Sequence, residues 1–135
     1  VNTSQRVQVA GDHQPKRIQR LRTAGWRRPP NTVIVDRTSD FGNPFTIKEA
    51  LEAGYGETEE QARAFVVRSF RYWLEDDPDW GRCYPAKRAR LLERLPELVG
   101  KDLACPCPPG VPCHGDVLIE AVARFARTAE ALLIA

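Results

Sequence analysis

Three consecutive β-branched residues, Val33, Ile34 and Val35, set the tightest limit on what this chain can fold into. They stand in "NTVIVDR", with Pro29, Pro30 and Asn31 punctuating the approach. An apolar run bounded by turn formers predicts a strand. Because these residues do not alternate with polar ones, the strand is expected to be buried on both faces, as in the centre of a sheet. A parallel sheet then needs crossover connections, which are usually helices.

The remaining sequence supplies them. Thr46 with Glu49, and Thr58 with Gln61, each match a capping box, the signature of a helix start. The first predicts a short helix, "IKEALEA", closed by Gly54. The second opens a longer helix whose stripe of Ala62, Phe65, Val66, Ser69, Phe70 and Trp73 recurs at helical spacing. Leu91, Leu92 and Leu95 mark a third helix, which Pro96 kinks or interrupts, and Gly100 stops that segment. "KDLAC" reads as a short strand. A last helix is expected from about Asp116 to Leu133, with Val117, Leu118, Ala121, Val122 and Phe125 on its apolar face. A third strand is expected from "QRVQVAG" or from the segment around Arg17 to Leu21. The reading is α/β: a small single domain with a short, mostly parallel sheet flanked by helices. It is expected to span residues 17–135, after a polar, aperiodic and flexible N-terminal arm over 1–16.

A chain of 135 residues can bury a core without staples. No apolar run approaches the roughly 20 residues needed to cross a bilayer, so no membrane partner is expected. The start carries no apolar stretch of the secretory kind, which places the protein in a reducing cytoplasm. There, clustered cysteines point to metal or chemistry more than to disulfides. The net charge of +2 is too small to argue for nucleic acid by itself. Its distribution says more: Arg6 to Arg28 holds seven basic residues and one acid, Asp12. Such a segment attracts phosphate or an acidic partner, or is simply a solvated arm.

Ligands of open α/β sheets bind outside the carboxyl ends of the strands, which singles out two loops. The first runs from Arg37 to Phe45. Arg37 suits a phosphate or carboxylate, Thr38 and Ser39 offer hydroxyls, Gly42 lets backbone approach a ligand, and Asn43 suits a base edge or ribose. The plain alternative is a turn, since Asp, Gly, Asn and Pro build turns everywhere. The second loop is "CPCPPGVPCHGD", Cys105 to Asp116, and it admits three readings. Cys105, Cys107, Cys113 and His114 could hold zinc, with Cys83 as a candidate fifth ligand, although adjacent Cys113 and His114 must point different ways. Cys113 could be a thiolate activated at a helix N-terminus, with His114 or Asp116 as base or orienting group. Or the cysteines are small buried apolar side chains, Cys113 or Asp116 caps the helix, and its free N–H groups hold an anion. Upstream, Trp26 could stack on a base while Arg22 and Arg27 pair with phosphate; equally, Trp26 could be a core anchor.

Three blocks taken together resemble the domain of unknown function 4326 family, found in actinobacteria and many phages. Arg20, Arg22, Gly25, Trp26, Arg27 and Pro29 match its first block. Val33, Val35, Arg37, Ser39, Gly42, Asn43, Pro44 and Phe45 match the second. Gly100, Lys101, Leu103, Cys105, Cys107, Pro112, Cys113, His114, Asp116, Val117 and Leu118 match the third. Pro106 stands where members often carry an aromatic, and Gly115 where they often have Ala. The resemblance implies a small α/β domain and no assigned reaction.

Two functions are carried forward. One is an enzyme or binding protein for a phosphorylated nucleoside or nucleotide, most plausibly a hydrolase or N-glycosidase. In it Arg22, Arg27 and Arg37 hold phosphate, Ser39 and Asn43 orient the sugar or base, and His114 or Asp116 is the acid or base. The alternative is a zinc-stabilised nucleic-acid-binding or interaction module without catalysis.

Overall fold

The computed structural model describes residues 14–134. The strand considered for "QRVQVAG", and most of the arm expected over 1–16, lie outside the described residues.

Three short strands form one all-parallel sheet: β1 (Arg17–Gln19), β2 (Thr32–Ile34) and β3 (Asp102–Cys105), in the order β1-β3-β2. The third strand is thus the segment around Arg17. β3 lies in the middle and all four of its residues are buried. The β-branched run is an edge strand, which corrects the central position expected for it. Val33 and Ile34 are half-buried, and full burial comes only at Val35, whose N–H donates to Ala104 O at 2.8 Å. Only Val35 of the run is fully buried, so the unbroken apolar pattern overstated both the burial and the central position of this strand.

Four helices follow the expected plan: α1 (Ile47–Glu52), α2 (Glu59–Leu74), α3 (Pro85–Arg94) and α4 (His114–Ile134). Thr46 and Thr58 cap α1 and α2, each accepting from the backbone N–H three residues on, at 3.1 Å. Gly54 closes α1 with φ at +84°, a left-handed angle that costs other residues a steric penalty. Past α3 the chain tightens into a 3₁₀ turn, Leu95–Leu98, where Pro96 cannot donate to a continuing helix. α4 begins two residues earlier than expected, at His114, which brings the histidine into its first turn.

The core lies around β3. Phe70 and Trp73 of α2, Leu91 of α3, Leu98, Leu103 and Leu118 of α4 are almost wholly buried in one cluster. The Trp73 indole N–H donates to Cys83 O at 2.6 Å, so its one polar atom is satisfied inside the core. The expected α2 stripe is buried at Ala62, Val66, Ser69, Phe70 and Trp73, while Phe65 is half-buried and stacks on Tyr55. Of the α4 face, Val117, Leu118, Ala121 and Val122 are buried and Phe125 is exposed.

The loop after β2 folds back on itself so closely that only glycine fits at position 42. A methyl there would stand 2.7 Å from both Arg37 Cα and Asp36 O. Gly42→Ala is expected to destabilise the protein by about 1–3 kcal/mol, as overpacking does. The check is urea denaturation, with a lower midpoint and an unchanged slope.

Candidate functional site

Both loops leave the carboxyl ends of neighbouring strands, and they face each other across a cleft of about 440 Å³. From the first loop come Asp36, Arg37, Thr38, Asn43 and Phe45. From the second come Cys105, Cys107, Cys113 and His114. Arg22 reaches in from the β1–β2 connection, and α2 contributes Arg63, Val66 and Val67.

Not every residue read from the sequence reaches this space. Trp26, Arg27, Ser39, Gly42 and Asp116 do not line it. Ser39 is absorbed by its own loop: its hydroxyl donates to Asp36 O at 2.8 Å and accepts from the Phe41 N–H at 3.2 Å. The close approach at Gly42 is to the loop's own backbone, not to a ligand. Asn43 borders the cleft, but its amide is engaged by the fold, donating to Val66 O of α2 at 2.9 Å and accepting from the Phe45 N–H at 2.9 Å. Asp116 is exposed and faces Arg17, with Nε 3.3 Å from its carboxylate.

Asp36, at the end of β2, organises the first loop. Its carboxylate accepts from the Thr38 N–H at 3.0 Å and from the Thr38 hydroxyl at 2.6 Å. It also pairs with Arg20, whose backbone N–H binds Cys105 O, so one residue of the β1 side links all three strands. Burial alone would raise the Asp36 pKa; the Thr38 bonds and the Arg20 charge outweigh it and hold the carboxyl below its ordinary value.

The second loop is held by Arg17, a residue the sequence reading passed over. Its guanidinium donates to the carbonyls of Cys107, Pro108 and Val111 at 3.0, 3.1 and 3.3 Å. The loop so shaped gathers three sulfurs: Cys105, Cys107 and Cys113 have Sγ atoms all within 4.8 Å of one another, with Cys105 and Cys113 3.0 Å apart. Each sulfur has an N–H neighbour, namely Arg17 Nη1 at 3.8 Å from Cys105, Arg63 Nη1 at 3.7 Å from Cys107, and Gly115 N at 3.3 Å from Cys113. Three thiols this close lose protons unequally. Bonds from Cys105 and Cys113 pull the Cys107 pKa down, while the bond to Cys107 raises Cys105 and the bonds to Cys105 and Cys107, with burial, raise Cys113.

His114 is 8 % exposed, and one ring nitrogen, Nε2, lies 2.6 Å from Val35 O. A carbonyl only accepts, so the proton sits on Nε2 and Nδ1 carries the lone pair. Nδ1 is 3.7 Å from Cys113 Sγ, but His114 is not part of the set of three mutually close donors. Burial lowers the pKa of the ring and keeps it neutral. Cys83 packs against the main core, away from this cluster.

The cationic side of the cleft is less committed. Arg22 and Arg37 are both exposed, and neither has a hydrogen-bond or ion-pair partner among the described residues. Arg63 is shared between Glu59, at 3.5 Å, and Cys107. Arg63 was findable in the sequence as a base set against the apolar stripe of α2, one residue from Ala62; Arg17 carried no signal beyond general basicity.

A parallel three-stranded α/β domain with a cationic, cysteine-bearing cleft at its strand ends is the class that this fold and site define. The chain belongs to the family described as Domain of unknown function (DUF4326), whose model matches residues 18–124. No curated protein and no solved structure matches it. Among the described residues, no helix is long and apolar enough to cross a membrane.

The sign of the Asp36 effect gives a test. A carboxyl with a depressed pKa in the folded state stabilises the fold above its unfolded value, about 3.9, and that stability is lost as pH falls through the folded value. Asp36→Asn is expected to cost about 1.5–3 kcal/mol at neutral pH, the range for hydrogen bonds to a charged group. Urea denaturation should show the gap from the parent protein closing in acid; a gap of constant size would show that the charge is not the cause.

Proposed function

We propose that the cleft binds a phosphorylated nucleoside or nucleotide. The observation that carries this reading is the pair of guanidinium groups, Arg22 and Arg37, without a partner among the described residues and lining one cleft at the carboxyl ends of parallel strands. Arginine forks match phosphate oxygens in pairs, and a cation held without a counter-charge leaves its attraction available to a ligand. Phe45, Ile47, Val66 and Val67 supply apolar lining, suited to the flat face of a base. The volume of about 440 Å³ lies within the range of small-molecule sites.

Hydrolysis is the second step of the reading and has less to stand on. With Asp116 outside the cleft, the expected catalytic groups that border it are His114, which is bonded into the fold as Asp36 is, and Cys113, which is almost wholly buried. Binding is therefore the function put forward, with N-glycosidase or related hydrolase chemistry as the activity to assay once a ligand is found. Arg27 and Trp26 lie outside the cleft, so of the three arginines expected to hold phosphate Arg22 and Arg37 remain, and base stacking on Trp26 is not part of the reading.

The test is calorimetry and thermal shift with nucleoside mono- and diphosphates beside the parent nucleosides. Phosphorylated ligands are expected to raise the melting temperature and nucleosides are not. Arg22→Ala and Arg37→Ala should each weaken binding roughly 10- to 100-fold, the worth of a charge-assisted bond, while Arg27→Ala should leave it unchanged. Stabilisation by none of the phosphates would overturn the reading. Tight binding to DNA or RNA with a steep salt dependence would favour the nucleic-acid module in its place.

A further inference from the structure

We propose that Cys105, Cys107 and Cys113 hold one zinc ion as three thiolates, with a fourth coordination position open to the cleft.

Four observations converge on it. The first is spacing. Zinc–sulfur bonds are about 2.3 Å, so two thiolates on a tetrahedral ion stand about 3.8 Å apart by the same geometry. The three sulfurs here, all within 4.8 Å of one another and 3.0 Å at the closest, bracket that separation. A shift of under about 1 Å at Cys105 and Cys113 brings them onto one ion.

The second is the chemistry of the donors. A thiol is a weak hydrogen-bond donor and acceptor, so three in contact gain little from each other. Three thiolates in contact repel unless a cation lies between them. Soft sulfur donors select zinc over magnesium or calcium.

The third is what surrounds the sulfurs. A divalent ion on three thiolates carries one net negative charge. Arg17 faces Cys105, Arg63 faces Cys107, and the Gly115 N–H faces Cys113, so each sulfur has its own N–H neighbour, two of them cationic. Such outer donors orient the ligands and offset charge.

The fourth is the open side. His114, adjacent to Cys113 in sequence, stands outside the mutually close set. Its Nε2–H bond to Val35 O leaves the Nδ1 lone pair free, 3.7 Å from Cys113 Sγ, so distance from the full set and not that bond is what leaves it out. All three cysteines border the cleft. The position left over is assigned to that side, where it suits water or a ligand oxygen, the arrangement that separates reactive from purely structural zinc sites.

This inference does not depend on the phosphate reading, and its test uses no phosphate. The full chain is purified without chelator or added metal. About one zinc per chain is expected by elemental analysis, falling at least tenfold in Cys107→Ser. Because that variant could also misfold, the parent protein is examined directly after exchange to cobalt(II). The expected spectrum shows sulfur-to-cobalt charge transfer and tetrahedral visible bands. Those bands should shift when imidazole is added, and His114→Ala should retain them. Absence of metal, both as purified and after incubation with zinc and gel filtration, overturns the proposal. So does a count of two free thiols in the denatured protein, which means that one pair of the four cysteines is a disulfide. Bands that ignore imidazole and disappear in His114→Ala would refute the open position and make the site a closed four-ligand one.

Discussion

A strand buried along its whole length must have every N–H and C=O paired, because nothing else satisfies them away from water. β3 is such a strand, and the rest of the molecule follows from meeting its demand. β1 lies on one side of it and β2 on the other, both parallel to it. Parallel strands point their carboxyl ends the same way, so the segments leaving β2 and β3 emerge at one edge of the sheet. A cleft between them is then a product of topology before any side chain is considered.

What the side chains add is rigidity. Asp36 shapes one loop through Thr38, and Asn43 ties the same loop to α2. Arg17 shapes the other through three carbonyls, and four prolines, at 106, 108, 109 and 112, restrict its backbone. Both loops are thus shaped by bonds of their own. The groups left over by this internal bonding, two guanidinium forks and three sulfurs, are the ones with chemistry to offer. A pre-shaped site of that kind loses little entropy on binding.

Local rules served the local features. Capping boxes located the starts of α1 and α2, and Pro96 located the break after α3, because each acts within one turn of chain. The convergence of the two loops was readable as well, since it follows from strand direction. Tertiary partners were not readable. Asn43 and Ser39 have the chemistry of ligand-binding residues, and only the fold shows that Val66, Phe45 and Asp36 take up their bonds. The same limit hid Arg17, one base among seven in its region, until the strand order set it beside the cysteines. The β-branched run at Val33 revealed a strand but neither its position nor its full burial, because an edge strand can carry the same unbroken apolar pattern as a central one.

Arg17 lies 90 positions from Cys107 and 94 from Val111 along the chain. A peptide copied from the cysteine loop would lack the clamp, and so would any folding intermediate in which β1 had not yet docked on β3. Contacts so remote in sequence are the slow ones to close. The arrangement of the three sulfurs is therefore tied to the docking of β1, a segment most of the length of the domain away in sequence.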